Sequence, residues 1–230
     1  MAEKTKQASR LSAFLSFADE RANREDALKG ERNTCIPNAV QERWSAILCL
    51  VRAREFDAIK DVLSTSPHSV VARAISQIAS MGRFDVLGEI IRMGDSAPLA
   101  ADAAAKRLAR MGKEDVEGIW GKNMEYCGGS PVFPKAVQAS VEAAGVYGSE
   151  EAGKAAFDYA LSEYRKTDDR GFLLSAVNIV KSSRNRGVQV HGADRLVEFG
   201  NERALNEVER AGGEIGDYVR ARRAESLGRS

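Results

Sequence analysis

"MGRFDVLG" at residues 81–88 returns, thirty positions later, as "MGKEDVEG" at residues 111–118. The shared letters supply no nucleophile and no phosphate cradle, so the echo bears on architecture before chemistry. Phe84, Leu87, Ile90 and Ile91, beginning within the first copy, stand at offsets 0, 3, 6 and 7, and Phe56, Ile59, Val62 and Leu63 show the same offsets 28 residues earlier. That spacing is one apolar stripe of an α-helix. Another apolar helix precedes the second stripe, with Val71, Ala74, Ile75, Ile78 and Ala79 opened by Ser66 and Pro67 as a start signal. The unit is therefore a helical hairpin, and the echo marks its joint. Gly82 and Gly112 are expected in the left-handed conformation that ends a helix, with Asp85 and Asp115 at the positive end of the next. One hairpin cannot bury both its stripes, so stacking of neighbours at a period of 28–30 is expected.

In the third copy Ala104, Leu108 and Ala109 match Ala74, Ile78 and Ala79, but Val116, Ile119 and Trp120 lie one register away, as in a capping or transitional unit. Upstream, Trp44, Ile47, Leu48 and Val51 form a further stripe, and Pro37 suits the first turn of a helix. Residues 1–34 read as an amphipathic helix or arm, with Leu11, Phe14, Leu15 and Ala18 at helical spacing. Residues 35–120 hold the hairpin repeats. "GKNMEYCGGSPVFP", 121–134, carries turn chemistry without a period and reads as a loop or linker. Residues 135–230 read as further hairpins with a basic tail. Val137, Val141 and Ala144 form one stripe there, Ala152, Ala155, Ala156, Tyr159 and Ala160 a small-residue face, and Phe172, Leu173, Ala176, Val177 and Val180 another stripe. Ser149 in "GSEEAG" is a candidate N-cap, and "SSRNRGVQVHG", 182–192, breaks the pattern before shorter helices near 196–199, 205–208 and 215–219.

Composition agrees with an all-α fold of stacked antiparallel hairpins, a short α-solenoid-like array. Five prolines occur in 230 residues and β-branched runs are short. Thirty-four basic against thirty-three acidic side chains leave no global field for nucleic acid or an anionic membrane. Three widely spaced cysteines argue against a disulfide framework and place the chain in a reducing, cytoplasmic setting. No apolar run suits a membrane span, and the first thirty residues are charged throughout, so neither membrane insertion nor secretion is expected.

The "A-x-M-G-[RK]" turn between apolar helices resembles the α-helical repeat superfamilies, both HEAT-like and tetratricopeptide-like, over residues 39–120 and more loosely over 133–200. The tetratricopeptide pattern itself is absent, and short HEAT-like units, as in families related to phycobilin lyases, fit the length better. The resemblance implies a curved binding surface and transfers no catalytic residue.

Candidate chemistry is sparse. Cys127 is the cysteine in a loop context, yet no base is identified for it, and His68 and His191 are far apart in sequence. No metal-ligand spacing and no phosphate-binding motif occurs, so neither a metal nor a cofactor is expected. Glu150 with Glu151 and Asp168 with Asp169 fall where helices begin, which the helix dipole explains without acid/base chemistry. Basic residues cluster at Lys181, Arg184 and Arg186 and again at Arg220, Arg222, Arg223 and Arg229. The leading expectation is a non-catalytic scaffold or adaptor that binds another protein. A nucleic-acid binder using the two basic clusters ranks second, and an enzyme with a site no general motif reveals ranks third. Self-association through the N-terminal helix or C-terminal tail stands beside all three.

Overall fold

Why the two copies of the echo differ is visible in their glycines. The computed structural model describes residues 46–47, 49–51, 56–127 and 133–227. Gly82 has φ +68°, the left-handed turn the sequence predicts. Gly112 instead has φ −103° and ψ 179°, an extended N-cap conformation. The first joint ends helix α2 (His68–Ser80) and admits α3 (Phe84–Met93). The second follows α4 (Pro98–Leu108) and opens only the short α5 (Lys113–Glu117), where Asp115 Oδ2 accepts the Gly112 N–H at 3.2 Å. A Cβ on Gly82 would stand 2.7 Å from Lys122 Cβ, whereas at Gly112 it would meet open space. Gly82→Ala should therefore lower the unfolding free energy by about 1–3 kcal/mol, from left-handed strain plus crowding. Gly112→Ala should change it by less than about 1 kcal/mol. Paired urea titrations check this; equal losses at the two glycines would mean that the echo is structurally symmetric after all.

The described secondary structure is helical throughout. Before α2 lies α1 (Phe56–Ser64), and after the echo come α6 (Ile119–Cys127), α7 (Phe133–Tyr147), α8 (Glu150–Thr167), α9 (Arg170–Ser182), α10 (Arg186–Phe199), α11 (Glu202–Ala211) and α12 (Gly213–Leu227). The stripe over Val71, Ala74, Ile75, Ile78 and Ala79 is buried, as are Ile59, Val62, Leu63, Leu87 and Ile90. Ala109 and Trp120, by contrast, are exposed, in keeping with a degenerate third unit. The hairpin pairing is also shifted. Helix α3 packs more extensively on α4, across the 3-10 turn Gly94–Ser96, and on α7 than it does on α2. Ser66 is not a cap: it is buried and its hydroxyl donates back to the Val62 carbonyl, leaving Pro67 to open α2. Pro37, Trp44, Leu48 and the stripe of Leu11, Phe14, Leu15 and Ala18 lie outside the described residues.

From α7 onward each helix packs on a near neighbour in chain order and, up to α10, on the next but one: α7 on α8 and α9, α8 on α9 and α10, α9 on α10 and α11, and both α10 and α11 on α12. Ser149 caps α8 as expected, accepting the Ala152 N–H at 3.2 Å, and its hydroxyl also donates to the Met111 carbonyl at 2.6 Å. Two readings are corrected. Residues 121–127 and 133–134 are helical, so the 121–134 stretch is not a loop throughout, and Cys127 closes α6. Residues 186–192 belong to α10, whose glycines permit close helix approach instead of breaking the helix: a Cβ on Gly192 would fall 2.5 Å from Val180 Cγ2 and 3.0 Å from the Phe157 ring.

A single hydrophobic core runs from Ile47 to Val219 across both sides of the 121–134 stretch. Its junction is built on the first echo. Arg83 and Asp85, 1% and 5% exposed, form a bidentate pair at 2.9 and 3.0 Å. Arg83 Nη1 also donates to the Val51 carbonyl at 3.2 Å, and Ser140 on α7 bridges the Asp85 backbone N–H (3.2 Å) and carboxylate (3.3 Å). Asn123 on α6 donates to the Gly82 carbonyl at 2.9 Å. The five residues 81–85 thus tie the helix bearing Val51, α6 and α7 together.

Candidate binding groove

Helices α9 and α11 lie side by side, and their first two turns leave a groove between them. Leu173, Leu174, Val177 and Ala204 provide apolar surface, while Tyr164, Arg170, Asn201, Arg203 and Glu207 complete the lining. The sequence builds this locally. Asp169 caps α9 by accepting the Gly171 N–H at 2.8 Å, and Asn201 caps α11 by accepting the Ala204 N–H at 3.0 Å, so both N-terminal turns are fixed. Asp168, at φ 54°, makes the reversal between α8 and α9. Along α9 the core stripe Phe172, Leu173, Ala176, Val177 and Val180 faces inward, and Leu174 lies off that stripe at 57% exposure. The Tyr164 ring meets Phe199 edge-on at 6.0 Å, and the Arg165 guanidinium covers the Phe199 ring at 4.7 Å. One wall of the groove is thereby held in place.

The groove encloses about 270 Å³. Pockets for small molecules commonly measure about 300–1,000 Å³. Its size therefore suits docked side chains better than a whole cofactor. A second depression of about 410 Å³ is larger, but Gly112, Lys113, Glu114, Asp115, Lys122 and Glu151 line it with polar surface. Its charges pair nearby, Lys122 with Asp115 at 3.8 Å and Lys113 with Glu117 at 3.4 Å. It offers no apolar anchor.

Six of the seven cations singled out from the sequence lie in the described residues, and they are placed differently. Lys181 lies 3.9 Å from Glu207, and Arg186 3.9 Å from Glu214. The Arg184 guanidinium stacks over the Tyr147 ring at 4.8 Å, and the backbone N–H of Arg184 donates to the Val146 carbonyl. On α12, Arg220 pairs with Asp217, Arg222 with Asp194 and Glu225 at 2.8 Å each, and Arg223 with Glu202 and with Glu209, the last at 3.1 Å. Hydrogen bonds to Asp194 and Glu225 raise the pKa of Arg222, and one to Glu209 that of Arg223, so both stay charged and engaged. Five of the six thus face carboxylates, which leaves little uncompensated charge to neutralise phosphates. Arg229 lies outside the described residues.

His68 is exposed at the first position of α2. His191 has a partner that sequence separation concealed: its Nε2–H donates to both Asp158 oxygens at 3.1 Å, with its ring edge-on to Phe157 at 5.9 Å. Arg195 Nε adds a contact to the same carboxylate at 3.6 Å. No hydroxyl or thiol joins this pair among the described residues, so it links α8 to α10 without forming a nucleophilic set. Glu150 and Glu151 occupy the first turn of α8, and Lys154 holds the Glu150 carboxyl below the usual range through a hydrogen bond. Burial, with the Glu163 charge second, pushes Tyr159 up to about 12. Among the described residues no cluster of three or more histidine, cysteine, aspartate or glutamate side chains suits a metal ion, and no helix is long and apolar enough to cross a membrane. No family model, curated protein or solved structure matches the chain.

Proposed function

We propose that the protein is a non-catalytic helical scaffold or adaptor that binds another protein through the groove between α9 and α11. The carrying observation is Leu174, more than half exposed beside buried Leu173 and Val177, in the lining of a groove whose two helices are both capped. An apolar anchor on rigid elements with a polar rim is what recognition of a partner's side chains requires. We read α7–α12 as a short α-solenoid-like array of HEAT-like build. The packing of those helices on near and next-but-one neighbours supports that reading. The exposed Cys49 thiol suits a reducing, cytoplasmic setting.

A pull-down from the native source tests this. Leu174→Asp should leave unfolding free energy within about 0.5 kcal/mol of wild type, because the side chain is exposed. It should nonetheless lose the partner protein that the wild-type chain retains. Identical protein sets on both chains would contradict the proposal. A nucleic-acid partner, by contrast, would be recognised by affinity that falls steeply with salt and is indifferent to Leu174.

A further inference from the structure

We propose that the groove accepts an acidic amphipathic helix of a partner protein; this rests on the groove being the recognition surface. Arg170 is the first helical residue of α9 and Arg203 lies in the first turn of α11. Both are exposed and line the groove, and neither makes an ion pair or hydrogen bond among the described residues. Helix stability does not account for them, since a cation near a helix N-terminus opposes the dipole. They also differ from the cations of 181–186 and α12, where Lys181, Arg186, Arg220, Arg222 and Arg223 each have a carboxylate opposite. Glu207, the carboxylate of the groove, is turned to Lys181 at 3.9 Å. The surface therefore offers apolar contacts from Leu173, Leu174 and Val177, flanked by two uncompensated guanidinium groups that can each take a carboxylate bidentately. A helix carrying leucine-like anchors at i, i+3 or i+4 and i+7, with aspartate or glutamate beside them, complements both features.

The test is a random-peptide display selection on the full chain, followed by affinity measurements of enriched peptides on wild type, Arg170→Glu/Arg203→Glu and Leu174→Asp. Arg170, Leu174 and Arg203 are all exposed, and circular dichroism is the check that the variants keep their helix content. The expected result is enrichment of acidic peptides with helical apolar spacing, whose binding falls by about tenfold or more in each variant. Neutral or basic peptides that still depend on Leu174 would overturn this inference and leave the groove reading intact. Peptides indifferent to all three substitutions, or no enrichment, would overturn both. Two further outcomes also overturn the assignment to a separate partner. One is tighter peptide binding after Phe14→Asp/Leu15→Asp, which would make the N-terminal segment the occupant. The other is a concentration-dependent dimer abolished by Leu174→Asp, which would make it a second copy.

Discussion

Replacing Arg83 with methionine is expected to lower the unfolding free energy by about 3–5 kcal/mol, because it strands the Asp85 carboxylate inside the core. Asp85 is 5% exposed, and with the guanidinium gone Ser140 remains as its hydrogen-bonding neighbour across the junction. A domain of ordinary stability has only about 5–15 kcal/mol in total, so the variant should be visibly compromised at physiological temperature. Substituting both partners by apolar residues, Arg83→Met with Asp85→Leu, should cost less than the sum of the single changes, since no charge is left buried. Urea unfolding of the three variants checks this. Additive losses would show that the pair is not electrostatically coupled in the folded state.

The second large effect is expected at Phe157, whose ring is fully buried on α8. Phe157→Ala should cost about 3–5 kcal/mol, the range for deleting a large aromatic from a packed core. The ring lies against Gly192 of α10 and edge-on to His191, so truncation opens space at the contact between next-but-one helices. Gly192→Ala alone should cost about 1–3 kcal/mol by overpacking. Combined with Phe157→Ala it should cost less than it does alone, because the cavity removes the 3.0 Å contact with the ring and gives Val180, the nearer neighbour at 2.5 Å, room to move. Denaturant titration of the cycle reads the coupling directly, and strict additivity would mean the two residues do not meet.

These two sites show what the sequence does and does not disclose. Stripe periodicity located the buried faces of α2, α3, α7 and α9, because burial of one helix face imposes a local pattern that needs no knowledge of the partner. On α8 the small-residue face caught buried Ala152, Ala156 and Ala160 but missed Phe157 and Leu161, while Ala155 and Tyr159 are only partly buried. The Ser149 cap was legible for the same reason. Glycine was ambiguous. Gly82 and Gly112 occupy equivalent letters, yet one takes a left-handed turn against Lys122 of α6 and the other an extended cap in open space. Gly187 and Gly192 looked like helix breakers, whereas close approach to α8 and α9 explains them: a Cβ on Gly187 would collide with the Glu150 carboxylate. Short-range motifs likewise could not reveal the buried role of Arg83, since the Val51 carbonyl it reaches is 32 residues away, and Ser140, which holds its partner Asp85, is 55 residues from that aspartate.

The groove was equally hidden. Its two edges, 170–177 and 201–207, meet only because α9 packs on α11. The basic clusters were the more conspicuous feature of the sequence, but charge counting along a chain cannot see that Asp194 reaches Arg222 or that Glu209 reaches Arg223. A local search could have flagged Arg170 and Arg203 as cations placed at predicted helix starts, against the dipole. That signal gains meaning only beside Leu174, which the stripe itself excludes.

The claim on which the rest depends is that residues 81–85 join the helices on both sides of 121–134 into one cooperative body that holds the groove rigid. Differential scanning calorimetry of the full chain tests it most directly. One transition is predicted, with equal calorimetric and van 't Hoff enthalpies. Two resolved transitions, with α7–α12 remaining folded after the first, would contradict it.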